Sequence, residues 1–86
     1  MQIKIFFTAS TGITEELQLL LDQLSEASME YSLFNVDEPE AAASAEVLDI
    51  LDAPAVVVTR ADGAPVHTWQ HSLPQVSQIS AALGRV

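Results

Sequence analysis

Gln2-Ile3-Lys4-Ile5-Phe6-Phe7-Thr8, then Ala9-Ser10-Thr11-Gly12, then the run from Ile13 to Leu24: the reading of this stretch decides the fold. Residues 2–8 are short, β-branched and aromatic on both faces, which predicts a strand buried from both sides. The small residues 9–12 interrupt that pattern. Ile13, Leu17, Leu20, Leu21 and Leu24 follow at spacings of four, three, one and three, an apolar stripe of helical period. Thr11 is the expected N-cap, and Glu15 and Glu16 fall in the first turn, where the helix dipole favours negative charge. The helix is expected to fade near Ala27-Ser28. A strand that feeds directly into a helix is a building unit of α/β sheets.

The same alternation continues outward. Residues 30–36 read as a second strand. Asp37-Glu38-Pro39-Glu40 forms its exit and the start of a helix, where proline's missing donor does no harm. Residues 41–51 predict that second helix, with Ser44, Val47, Leu48 and Leu51 on one side, ending ahead of Pro54. Ala55-Val56-Val57-Val58-Thr59 is the clearest strand. Asp62-Gly63 signals a hairpin, and residues 66–70 return as an edge strand with Pro65 at its start. Ser72 and Gln75 resemble a capping box for a last helix that carries Val76, Ile79 and Leu83 inward and stops at Gly84. The predicted order is β-α-β-α-β-β-α. The two strand–helix–strand connections predict parallel pairing, and the hairpin adds an antiparallel edge.

With 86 residues the chain suffices for one domain, expected over 1–86. Hydrophobic residues make up 49% and charged residues 17%, a globular composition. The sequence contains no cysteine, which excludes disulfides, thiolate nucleophiles, zinc–thiolate sites and iron–sulfur clusters. The N-terminus runs straight into an apolar strand without a signal-peptide pattern, and no apolar run is long enough to span a membrane. These features predict a soluble, cytoplasmic protein. Three basic against twelve acidic residues give a net charge of −9. That balance disfavours nucleic acid and anionic membranes as partners. It serves either solubility or recognition of a partner with a basic surface, a nucleic-acid mimic being a remote variant of the latter.

The predicted order is that of a minimal thioredoxin or glutaredoxin fold, and four stretches resemble the thioredoxin family. Residues 5–14 (Ile-Phe-Phe-Thr-Ala-Ser-Thr-Gly-Ile-Thr) align without gaps on its D-F-W-A-x-W-C-G-P-C pattern. Thr11 and Thr14 then stand where the two cysteines would be, Gly12 is kept, and Ile13 replaces the proline. Asn35-Val36-Asp37-Glu38-Pro39-Glu40 is similar to the family's N-V-D-x-N-P-E. Ala53-Pro54-Ala55-Val56-Val57-Val58 looks like its I-P-T-hydrophobic run, which implies a cis proline at Pro54. Asp62-Gly63 through Leu83 resembles the closing hairpin and helix, with His71 in place of a glycine. The chain lacks the family's first strand and helix, which brings it closer to glutaredoxins in size. The resemblance implies a thioredoxin-like α/β fold, a four-stranded mixed sheet flanked by three helices.

The family's reaction needs a thiolate at the N-terminus of the first helix and a second cysteine three residues on. Threonine hydroxyls cannot enter disulfide exchange, and Ile5 falls where the resemblance places a buried proton-shuttling acid. The implied scaffold is kept while its chemistry is gone. Ser10, Thr11 or Thr14 would need an adjacent base to act as nucleophiles. His67, Trp69 and His71 share one face of the last strand. His67 and His71 would stand about 13 Å apart, poor geometry for a metal, so neither metal nor cofactor is expected. Solvated or hydrogen-bonded histidines and a packed Trp69 are weighed against His71 at a binding rim and Trp69 as a partner anchor. Thr11 is weighed as a plain cap against a ligand role.

These readings lead to a redox-inactive protein-binding or regulatory module, not an enzyme. The resemblance implies a groove made by Ser10, Thr11, Gly12, Ile13, Thr14, Ala53, Pro54, Gln70 and His71, in which an extended partner chain pairs by strand addition. The alternative is a glutathione-binding or transferase-like protein that uses the Ser10 or Thr11 hydroxyl. A regulator that docks onto signalling proteins is a third reading, which no residue singles out.

Overall fold

The computed structural model describes residues 2–10, 12–50, 53–70 and 73–84. Thr11, Leu51, His71 and Ser72 fall outside the described residues. In chain order the elements are β1 (Gln2–Phe7), α1 (Glu15–Glu26), β2 (Ser32–Asn35), α2 (Pro39–Val47), β3 (Ala55–Thr59), β4 (Pro65–Gln70) and α3 (Val76–Ala82). The sheet is mixed, in the order β2-β1-β3-β4.

β1 pairs in parallel with β2, as a helical crossover between them predicts. The second connection departs from expectation: β3 runs antiparallel to β1, with Ala55 opposite Phe6 and Thr59 opposite Gln2. A crossover forces parallel pairing only where the link after the helix is short. Here α2 is about 13.5 Å long, whereas residues 48–54 can span up to about 23 Å. That reach lets the chain re-enter the sheet beside the C-terminal end of β1. β4 completes the sheet antiparallel to β3.

Each sheet face has its own core. Ile3 and Ile5 of β1 and Val56 and Val58 of β3 meet Leu17, Leu20, Leu21 and Leu24 of α1 and Ile79 of α3. Burying each such leucine contributes about 1.5–3 kcal/mol, so the stripe read from the sequence is what holds α1 down. On the opposite face Phe6, Ala55 and Val57 pack with Ala45 of α2. β3 is central and covered on both sides, and all five of its residues are buried, which explains its unalternating valines. Val47 was expected on the inner side of α2 but is 82% exposed. The inner side is made by Ala41 and Ala45, whose small side chains let the helix backbone lie close to the sheet.

Helix boundaries also differ. α1 is capped by Thr14, not Thr11: the Leu17 N–H donates to Thr14 Oγ1 at 3.2 Å. Ile13 therefore precedes the helix and is 42% exposed, outside the stripe it was assigned to. α3 is capped by Gln75, whose N–H donates to Gln78 Oε1 at 2.8 Å, so Gln75 holds the position expected for Ser72. α1 and α2 end alike. The Met29 N–H donates to the Leu24 carbonyl and the Ile50 N–H to that of Ala45, with Ser28 and Asp49 left-handed at φ 57° and 58°. These are Schellman closures built on residues other than glycine. A left-handed residue with a Cβ costs about 1–2 kcal/mol, of which glycine's extra unfolded freedom takes back part. Ser28→Gly is expected to stabilise the chain by about 0.5–1 kcal/mol. The urea midpoint checks this, and an unchanged or lower midpoint contradicts it.

The expected hairpin is present. Gly63 has φ 92°, the Ala64 N–H donates to Asp62 Oδ1 at 2.9 Å, and the Arg60 N–H to the Ala64 carbonyl at 2.8 Å. A bulge at Val58–Thr59 carries the strand into this turn.

Candidate functional site

The register decides what meets what at the C-terminal end of β1. Phe6 lies opposite Ala55, and Ala55 opposite Gln70. Loop 8–14, Ala53-Pro54 and Gln70 are therefore gathered at one end of the sheet, though 39 or more residues of sequence separate the loop from Pro54. The Ala53–Pro54 peptide bond is cis. Ala53, Pro54 and Gln70 are half-buried, while Ser10, Ile13 and Thr14 are exposed.

The loop is held by its own backbone and by one carboxylate. Gly12 takes φ 61° and donates its N–H to the Thr8 carbonyl at 2.7 Å, a turn that a Cβ would strain. The Ala9 N–H donates to Asp37 Oδ2 at 2.7 Å, and Asp37 in turn donates its N–H to Asn35 Oδ1 at 3.0 Å. The turn after β2 thus fastens the loop after β1. Sequence reading passed over Asp37 as a site residue, although the Asx signal of Asn35-x-Asp37 is local and visible. Gln70 Nε2 donates to the Asp49 carbonyl at 3.3 Å, tying the end of β4 to the close of α2. Asp37→Ala removes a charge-assisted bond and is expected to cost about 1 kcal/mol. Its signature is faster hydrogen exchange at the Ala9 amide, and unchanged exchange there contradicts the role.

The hydroxyls of Thr8, Ser10 and Thr14 are engaged in structure. Thr14 caps α1, and Thr8 Oγ1 lies 3.1 Å from Ser10 Oγ. His67 and Trp69 share a face as predicted, their rings 4.3 Å apart, and Trp69 packs against the core cluster that contains Ile79. No group of three or more His, Asp or Glu among the described residues could hold a metal ion. No helix among them is long and apolar enough to cross a membrane. A groove of about 550 Å³ runs between α1 and the start of α3, bordered by Leu19, Leu20, Leu73, Pro74 and Val76.

A central parallel β-α-β unit, an antiparallel hairpin joined to it at a cis proline, and two helices against one covering the opposite face define the thioredoxin fold. Two solved structures share it. Thioredoxin 1 from Thermosipho africanus TCF52B superposes with a TM-score of 0.65 at 10% identity, over 98% of this chain and 91% of that one. Thioredoxin O2 from Arabidopsis thaliana, in its oxidized state, superposes with a TM-score of 0.70 at 14% identity, over 96% of this chain and 72% of that one. At such identities the likeness is one of fold. No protein-family model and no curated protein sequence matches the chain. What distinguishes this chain from the enzymatic use of the fold is chemical: it holds no cysteine, so no thiol of its own can exchange with a disulfide.

Proposed function

We propose that this chain is a redox-inactive thioredoxin-fold binding module, which captures a protein partner where loop 8–14, Ala53-Pro54 and Gln70 converge. One observation carries the reading. The end of the sheet that the fold dedicates to its chemistry is pinned by Asp37, yet it presents an exposed Ile13 and the capping hydroxyl of Thr14 in place of sulfur. An apolar side chain held out next to a hydrogen-bonded turn suits contact better than reaction. A net charge of −9 favours a partner whose contact surface is basic. No separate observation favours glutathione over a protein partner.

The test is affinity capture with the wild-type chain and with Ile13→Asp, compared by mass spectrometry. A partner retained by the wild type and lost from the variant is expected. Equal capture by both rules out this end of the sheet. Glutathione titrated into the labelled chain and followed by NMR separates the ligands, since amide shifts at residues 8–14, 53 and 55 would replace a protein partner by the tripeptide.

A further inference from the structure

The sheet has two edges, and they are protected differently. β4 begins at Pro65, which removes a backbone donor, and faces the bulge at Val58–Thr59. Among the described residues β2 has no strand on its outer side, and it contains no proline, lysine or bulge; its length of four residues is what limits pairing there. The Val36 N–H turns inward to the Phe7 carbonyl. By strand alternation the N–H and carbonyl of Leu33 therefore point outward. The Leu33 side chain is 41% exposed beside them.

Three exposed glutamates flank this edge, Glu30 before β2 and Glu38 and Glu40 beyond it, with Lys4 offsetting the first. A concavity of about 440 Å³ at the start of β2 is lined by Glu30, Tyr31 and Ser32, with Lys4 the cation on its wall. One of about 300 Å³ at the other end is lined by Leu33, Asn35, Glu38 and Glu40, with no cation on its wall. Glu30, Glu38 and Glu40 are exposed. A second copy of the chain would set these carboxylates against their own kind, on a molecule of net charge −9. An extended chain with an apolar residue over Leu33 and lysine or arginine on either side meets both the open backbone and the charge.

We infer that the outer edge of β2 accepts a basic, extended peptide segment by strand addition. This surface lies across β1 from Pro54 and does not depend on the binding site proposed there. The probe is an end-capped octapeptide of alternating lysine and valine, titrated into the isotope-labelled chain at low salt. Amide shifts centred on residues 31–36 are expected. The triple variant Glu30→Gln/Glu38→Gln/Glu40→Gln, whose changes are all on exposed side chains, should bind about tenfold more weakly. Leu33→Pro removes the outward donor without touching the ladder to β1 and should abolish the shifts, with circular dichroism checking that it folds. Shifts confined to residues 8–14, 53, 55 and 70, or equal affinity in the triple variant, overturn the inference. So does the absence of any shift at millimolar peptide. Concentration-dependent dimerisation through residues 31–36 would name a second copy as the occupant and overturn it as well. Failure of the Ile13→Asp capture test would leave these shifts unaffected, so the two readings fall separately.

Discussion

Phe6→Ala is expected to cost about 3–5 kcal/mol, the largest loss from a single truncation on the α2 side of the sheet. Phe6 is fully buried. Its ring stacks on Phe34 of β2 at a centroid distance of 5.1 Å and an interplanar angle of 21°. Its other neighbours in that cluster include Ala45, Ala55 and Val57. These side chains are short and stand on backbone that is already fixed, in α2 and in the paired strand β3. They cannot swing inward, so the void would stay largely open. A chain of this length has about 4–13 kcal/mol of total stability, so the loss is a large share of it. Chemical denaturation followed by circular dichroism measures it. Phe6→Leu, which keeps most of the volume, should lose far less, about 1–1.5 kcal/mol. A loss near 1 kcal/mol for the alanine variant would mean that α2 collapses onto the sheet, against the packing described here.

The second large effect concerns chemistry rather than stability. Thr14→Cys is expected to create a thiol whose pKa lies below the ordinary cysteine range. Position 14 is the N-cap of α1, where the Leu17 N–H already donates to the side-chain oxygen. A thiolate there would accept from the same donor and face the positive end of the helix dipole. At neutral pH its alkylation by iodoacetamide should be about tenfold faster than that of a free cysteine. The rate should level off at lower pH than for the free amino acid. Since the folded state holds the thiolate and lowers the pKa, the variant gains stability as pH rises through that range and loses the gain as pH falls back. Thr11→Cys is the control. The ungapped family resemblance gives it the leading role, whereas the cap gives that role to position 14. Equal or greater reactivity at position 11 would overturn the assignment of the helix N-terminus to Thr14.

The order of elements was legible in the sequence because each rests on local signals. The leucine stripe of α1, the valines of β3, Pro39 at the start of α2 and Asp62-Gly63 at the hairpin each act within a few residues. Boundaries were less legible where a helix can begin at more than one hydroxyl. Thr11 and Thr14 are equal candidates by residue type, and φ 61° at Gly12 puts a turn between them, so the helix starts at the second. Val47 was misplaced for a related reason. Hydrophobicity alone favoured it as an inward residue, but close approach of α2 to the sheet selects the alanines.

The sequence by itself determined the composition of the site: no sulfur anywhere, hydroxyls at positions 11 and 14, and a proline before the valine strand. Only the tertiary structure decided which of these residues meet. The antiparallel register of β3 on β1 brings Ala53-Pro54 to the end of β1, and the Ala9–Asp37 bond joins two turns distant in sequence. Strand direction and such bonds depend on partners remote along the chain, whereas a periodicity or a cap is read from its own neighbours.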